Sequence, residues 1–263
     1  MLLQIMSRFD QRSVERMRSI FGWIAFAKRP LRKTEFRSAL ALAQGNPDVD
    51  EIVPQYIFDL CTPLIEERQD TTFSFIHGSV NEQVVSECIL GFELKYSRPR
   101  WLTFPRYLQT PESHIALRTS DAVNEHGTAV ITCLLSGFNV LTPSFPEEAR
   151  FARFVKGLHG LHVYSDEYWL EYLLNNALPD MGLNEGSTLY AVAVQLAERL
   201  AAHRGEDEPT PRLPEPNPIR LDGRLENLSC QGKVYAMAKA QLTLRSRRDR
   251  GLSAAPLAAD NRG

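Results

Sequence analysis

Apolar residues recur at helical spacing along most of the chain, and the pattern switches once to two short alternating runs. Ser13 to Ala27 reads as a helix, with Val14, Met17, Phe21, Ile24 and Ala25 on its face. Lys28-Arg29-Pro30 ends it, because proline cannot continue the ladder and restricts the residue before it. A second helix is predicted over Thr34 to Ala43, facing inward with Phe36, Leu40 and Ala43, and Gly45-Asn46-Pro47 follows as a turn. Asp50 is placed to cap a third helix with Pro54 in its first turn and Val53, Ile57, Leu60 and Cys61 as its stripe. Leu64 to Arg68 and Thr72 to Ile76 then read as strands around a Gln69-Asp70-Thr71 turn, with Phe73 and Phe75 on one face. A closing helix is expected to begin near Gly78 or Ser79. Three helices, a hairpin and a closing helix are the outline of a winged helix.

Beyond a segment from about Glu93 to Pro111 the pattern is helical throughout. Ala122 to Leu135 points Val123, Val130, Cys133 and Leu134 inward. Pro146-Glu147-Glu148 opens another helix, with proline in its first turn and acids at its positive end, and Phe151, Phe154, Val155 and Leu158 are predicted as its buried stripe. Tyr164 to Leu174 carries Tyr168, Trp169, Tyr172 and Leu173. Ser187 caps a helix to Ala202 that buries Leu189, Val192, Leu196 and Leu200. Gln231 to Arg247 forms one more. The expected fold class is therefore mostly α: a winged-helix module with a small β-hairpin, then a helical bundle or array. The expected boundaries are 1–92 for the winged helix, 93–111 for an irregular insertion and 112–204 for the helical domain. A Pro-rich linker at 205–218, a C-terminal helix at 219–248 and a disordered tail at 249–263 complete the division.

Composition leaves this picture intact. Of 263 residues, 43% are hydrophobic and 24% charged, an ordinary balance for a globular chain. A net charge of −2 provides no global basic field to draw in nucleic acid or anionic lipid. Cys61, Cys88, Cys133 and Cys230 form no Cys-x-x-Cys pair and read as small hydrophobes in apolar helical settings, which fits a reducing compartment. The longest apolar runs, Ile20 to Ala27 and Ala129 to Leu135, are too short to span a bilayer. The first residues, MLLQIMSRFDQRS, lack the layout of a signal peptide, so a cytoplasmic location is expected.

Four strings carry a family resemblance. GWIAFAKRPLRKTEFRSALAL and DLCTPLIEERQDTTFSFIHGSV resemble the winged-helix region that follows the NACHT module in fungal STAND-type signal-transduction NTPases. EHGTAVITCLLSGF and KGLHGLHVYSDEYWLEYLL resemble the helical region such proteins carry next. In that family the NACHT module binds and hydrolyses a nucleoside triphosphate, and the winged helix packs on it to hold the diphosphate-bound state. A histidine ending the second wing strand contacts phosphate in many relatives, which makes His77 the matching cofactor-binding residue, only if a NACHT module is supplied. Gly78 stands where those relatives carry an acid.

The chain has no Gly-x-x-x-x-Gly-Lys-Ser/Thr phosphate loop and no acidic strand end of the metal-holding kind before Ser19. The resemblance therefore implies a non-enzymatic regulatory or relay part that starts after the motor would have ended. It implies no catalytic residue, no resident cofactor and no metal. Its expected partner is a protein or a NACHT module in cis or trans, with no membrane and no nucleic acid. Gln83 to Pro105 interrupts the closing helix, and a retained intron is the expected cause; a genuine surface insertion is the alternative.

Other groupings read as structural. His159, His162 and Asp166 have near-helical spacing, but two histidines and an acid seldom make a metal site. Lys28-Arg29 with Arg32-Lys33, and Arg245 to Arg250, are basic clusters that a DNA-binding winged helix would turn to phosphate; solvated helix ends are the plainer reading. Tyr164, Tyr168, Trp169 and Tyr172 read as core aromatics. Ser136-Gly137 does not sit in a nucleophile elbow. Two alternatives to the relay remain open at this point: a DNA-binding winged helix, and a protein–protein scaffold built on the helical region.

Overall fold

The computed structural model describes residues 11–62, 64–76, 118–203 and 221–253. The closing helix expected from Gly78, the segment 83–105, Cys88, the linker at Glu206 to Pro218 and the last ten residues lie outside them, as do Pro63 and the side chain of Leu60. The described chain is mostly helical, with one two-stranded antiparallel sheet.

The first helix, α1 (Gln11–Phe26), buries Val14, Met17, Ile20, Phe21 and Trp23. It stops before Pro30, and the next free backbone N–H, on Lys28, donates to the Tyr164 hydroxyl at 2.9 Å. After one extended turn, α2 (Lys33–Leu42) starts with Glu35 accepting from the Arg32 N–H at 2.8 Å and from both arms of Arg29 at 2.8 and 2.9 Å. Phe36, Ala39 and Leu42 face the core. The third predicted helix is instead a 3-10 helix, Gln55–Cys61, preceded by extended residues that include an exposed Asp50. Pro54 is its N-cap rather than a first-turn residue, so the α ladder from Asp50 never forms.

Strands β1 (Ile65–Glu67) and β2 (Phe73–Phe75) pair in the register Ile65–Phe75, Glu66–Ser74 and Glu67–Phe73. The turn between them is fixed by the Asp70 carboxylate, which accepts from the Thr72 N–H at 3.1 Å and the Thr72 hydroxyl at 2.6 Å. Arg32 adds an isolated antiparallel bridge to Thr72, supported by Lys33 N–H to Thr71 O at 2.9 Å. Phe73 stacks on Phe58 and meets Phe36 edge-on, and Phe75 reaches Phe21.

The organising element is α3 (Thr119–Leu141), which packs against α1 and α2 on one side and α5 and α6 on the other. Eight consecutive residues, His126 to Cys133, are buried, so this helix shows no one-sided stripe. Its buried threonines return their hydroxyls to carbonyls four residues earlier, Thr128 to Asn124 at 2.9 Å and Thr132 to Thr128 at 2.7 Å. Helices α4 (Glu147–Val155), α5 (His162–Asn176), α6 (Thr188–His203) and α7 (Gly232–Ser253) follow. The Ser187 hydroxyl caps α6 by accepting from the Tyr190 N–H at 3.1 Å. Helix α7 packs on α6 and continues to Ser253, past the predicted end of the C-terminal helix. A second 3-10 helix, Gly223–Leu228, is tied to α5 by Arg224, which pairs with Glu171 at 2.8 Å. Most of the buried apolar residues from Val14 to Ala238 form one continuous cluster.

Candidate functional site

Two places carry more chemistry than the fold needs. The first is the seam where α1 and α2 meet α3. Gly22 lets α1 approach closely, since a Cβ there would stand 3.3 Å from Ala122 Cβ and 3.9 Å from His126 Nε2. The His126 imidazole is wholly buried and stacked on the Trp23 indole, with ring centroids 3.8 Å apart, and meets Tyr172 edge-on. Among the described residues, neither nitrogen of His126 nor the indole N–H of Trp23 has a hydrogen-bond partner. Burial, with Lys28 adding to it, pulls the His126 pKa down to about 3, so the ring is neutral.

Beside it, the Ser19 hydroxyl donates to Glu125, whose pKa burial raises despite that bond. These groups line a cleft of about 730 Å³ shared with Arg16, Arg118 and Asp121. Ser19 pairs with the carboxylate and not with the imidazole, so serine and histidine are not coupled as nucleophile and base.

Further ties cross the same seam. Within α5, Tyr164 and Tyr172 share a hydroxyl–hydroxyl bond of 2.7 Å beneath Lys28, whose ammonium reaches across to Glu171 at 3.3 Å. The Ser38 hydroxyl donates to Leu158 O at 2.8 Å, and Asn139 donates to Asp48 at 2.9 Å. Gly160 touches the start of α2 so closely that a Cβ would stand 2.7 Å from Thr34 O.

The second place is α4, and here the expected stripe is corrected. Phe151, Phe154 and Val155 are 70%, 55% and 69% exposed. The buried side chain is Arg153, at 7%. Its guanidinium donates to Pro47 O at 2.9 Å and to the Ser136 hydroxyl at 2.8 Å. Arg150 donates to Val140 O at 2.9 Å and to Thr142 O and Phe145 O at 3.4 Å, closing the C-terminal end of α3. The end of α4 explains why Leu158 parts from the stripe. Gly157 takes φ +79, with its N–H bonded to Phe154 O and that of Leu158 to Arg153 O, a Schellman ending that turns Leu158 into the core.

The remaining predicted residues are placed as follows. His77 and Gly78 lie outside the described residues. His159 packs on Phe154, with its pKa lowered to about 4 by burial and then by Arg153 and His162, while His162 and Asp166 are exposed. Among the described residues no group of three or more His, Cys, Asp or Glu could hold a metal ion. Three of the four residues of the first basic cluster are engaged internally, Lys28 with Glu171, Arg29 with Glu35, and Lys33 with Glu67 at 2.6 Å, while Arg32 is exposed. Tyr164, Trp169 and Tyr172 are core residues and Tyr168 is half-buried. Cys61 and Cys133 are buried free thiols, each pushed up to about 12 by burial. Cys230 departs from the expected apolar helical setting and is exposed in a turn. No helix among the described residues is long and apolar enough to cross a membrane.

Sequence reasoning did not single out His126, Glu125, Arg150 or Arg153. The signal for the arginines was present in the repeated Ala-Arg-Phe of residues 149–154, which sets one arginine face against one phenylalanine face. No family model, curated protein or solved structure matches this chain.

Proposed function

We propose that the chain is a non-enzymatic regulatory relay, of the kind its sequence resembles in the winged-helix and helical part of fungal NACHT-type STAND receptors. The observation that carries the reading is the seam. The hairpin-bearing unit and the helical region share one apolar core and are bonded across it by Lys28, Ser38, Asn139 and Arg153. A force applied to one unit is passed to the other, which is what a relay requires.

The winged-helix reading of the first unit is supported by chain order. Helix α1, the Arg32 bridge, α2, the 3-10 helix, β1 and β2 run in sequence, and Arg32 bridges Thr72 just before β2 begins. DNA binding draws no support from the same unit. The position a recognition helix would occupy carries Gln55, Tyr56 and Asp59 and no lysine or arginine, and Lys28, Arg29 and Lys33 nearby are ion-paired within the chain.

Thermal-shift measurement of the full chain with ATP and ADP tests the proposal. No saturable shift is expected, because the phosphate loop is missing from the sequence. Saturable stabilisation by either nucleotide would refute a relay without a motor.

A further inference from the structure

Helix α4 is amphipathic with the wrong face outward for a monomer. Its inner side is held by arginines bonded to backbone carbonyls, and its outer side presents Phe151, Phe154 and Val155 at i, i+3 and i+4. The helix cannot roll to hide them. Arg150 and Arg153 together make five hydrogen bonds to α3, to the turn after it and to the Pro47 loop. Pro146 fixes its start and the Schellman turn fixes its end. No other element packs extensively along it among the described residues.

The charges flanking this face say what covers it. Glu147 and Glu148 are exposed at the N-terminal end, and Lys156 is exposed just past the C-terminal end, its ammonium donating to Asp50 O at 3.0 Å with its other N–H groups left to reach outward. A second α4 laid antiparallel across the first brings acids against base at both ends of the apolar patch. A parallel copy would set like against like.

We propose that α4 is a self-association surface, through which two copies of the chain pack antiparallel about a two-fold axis. In this register Phe151 faces the partner's Phe154, and Glu148 comes within reach of the partner's Lys156. The opposed helix dipoles favour the same arrangement, and a two-fold axis uses the one patch twice. The patch is small, so the dimer is weak, with a Kd on the order of 10–100 μM. The inference does not depend on the relay reading, which nucleotide binding tests separately.

Sedimentation equilibrium of the full chain from about 5 to 300 μM decides it. The mean mass is expected to rise from 29.8 kDa toward a dimer. Phe151→Glu with Phe154→Glu should hold the chain monomeric across the range, with an unchanged circular dichroism spectrum because both side chains are exposed. Glu148→Lys and Lys156→Glu should each weaken association about fivefold, and the two together should restore it to within about twofold. A monomer at every concentration overturns the proposal and leaves the face to a different protein. A dimer indifferent to the phenylalanine changes overturns it too. Single charge reversals that the double variant fails to rescue overturn the antiparallel arrangement.

Discussion

Helices α4 and α6 look alike in the sequence and behave oppositely in the structure. Each opens on a helix-start residue, Pro146 for α4 and Ser187 for α6, and carries large apolar residues at helical spacing. Helix α6 buries Leu189, Val192 and Leu196 against α3 and α7, whereas α4 turns Phe151, Phe154 and Val155 to solvent. Periodicity establishes that a helix has two faces; it does not say which one the rest of the chain can satisfy. For α6 the neighbours offer apolar surface. For α4 they offer carbonyls of Pro47, Val140, Thr142 and Phe145, and the arginine face is the one that fits.

The sharpest way to break this contrast is to truncate one apolar residue in each helix. Leu196→Ala should cost about 2–5 kcal/mol in urea unfolding, because it opens a cavity in the shared core. Phe151→Ala should cost less than about 0.5 kcal/mol. Similar costs would mean that α4 is buried after all. Arg153→Ala should then cost about 3 kcal/mol by the same measurement, since Pro47 O and the Ser136 hydroxyl lose their donor. A negligible change would remove the arginine anchor from the account.

Two basic side chains buried among the described residues sharpen the comparison further, because the Arg153 guanidinium finds acceptors there and His126 finds no partner. Burial takes the His126 pKa from the usual 6.5 to about 3 in the folded chain. The unfolded chain therefore binds the proton more readily. The stability tied to the neutral ring is complete above about pH 6.5 and is lost as pH falls toward 3. Lowering the pH to 5 should remove about 2 kcal/mol relative to pH 7.5, and His126→Phe should remove that share of the pH dependence while keeping the stack on Trp23. An identical slope in the variant would place the titration elsewhere. Glu125, whose pKa is raised, acts in the opposite direction and is common to both proteins.

Much of the architecture was legible. The spans of α1, α2, α5 and α6, the hairpin and its turn, and the Ser187 cap follow from spacing and turn chemistry that act locally. The 3-10 helix at Gln55–Cys61 was missed because Pro54 reads equally well as a first-turn residue and as a cap. The breadth of burial on α3 was missed because a central helix loses its polar face only once neighbours arrive from both sides. The His126 seam and the α4 anchors depend on which carbonyls and rings come together from residues far apart in the chain, 106 positions in the Arg153 bond to Pro47 and 136 in the Lys28 bond to Tyr164. No local pattern encodes that.

The central claim is that the hairpin unit and the helical region are one body. Trp23 lies in α1 and Trp169 in α5, on opposite sides of the seam. Variants keeping one tryptophan at a time, with Trp101 and the other replaced by phenylalanine, report each side by fluorescence while circular dichroism reports the whole. The account predicts that, within each variant, the fluorescence and circular dichroism midpoints coincide in thermal unfolding. A fluorescence midpoint well apart from the circular dichroism midpoint, for either tryptophan, would show two independently folding units and contradict the relay.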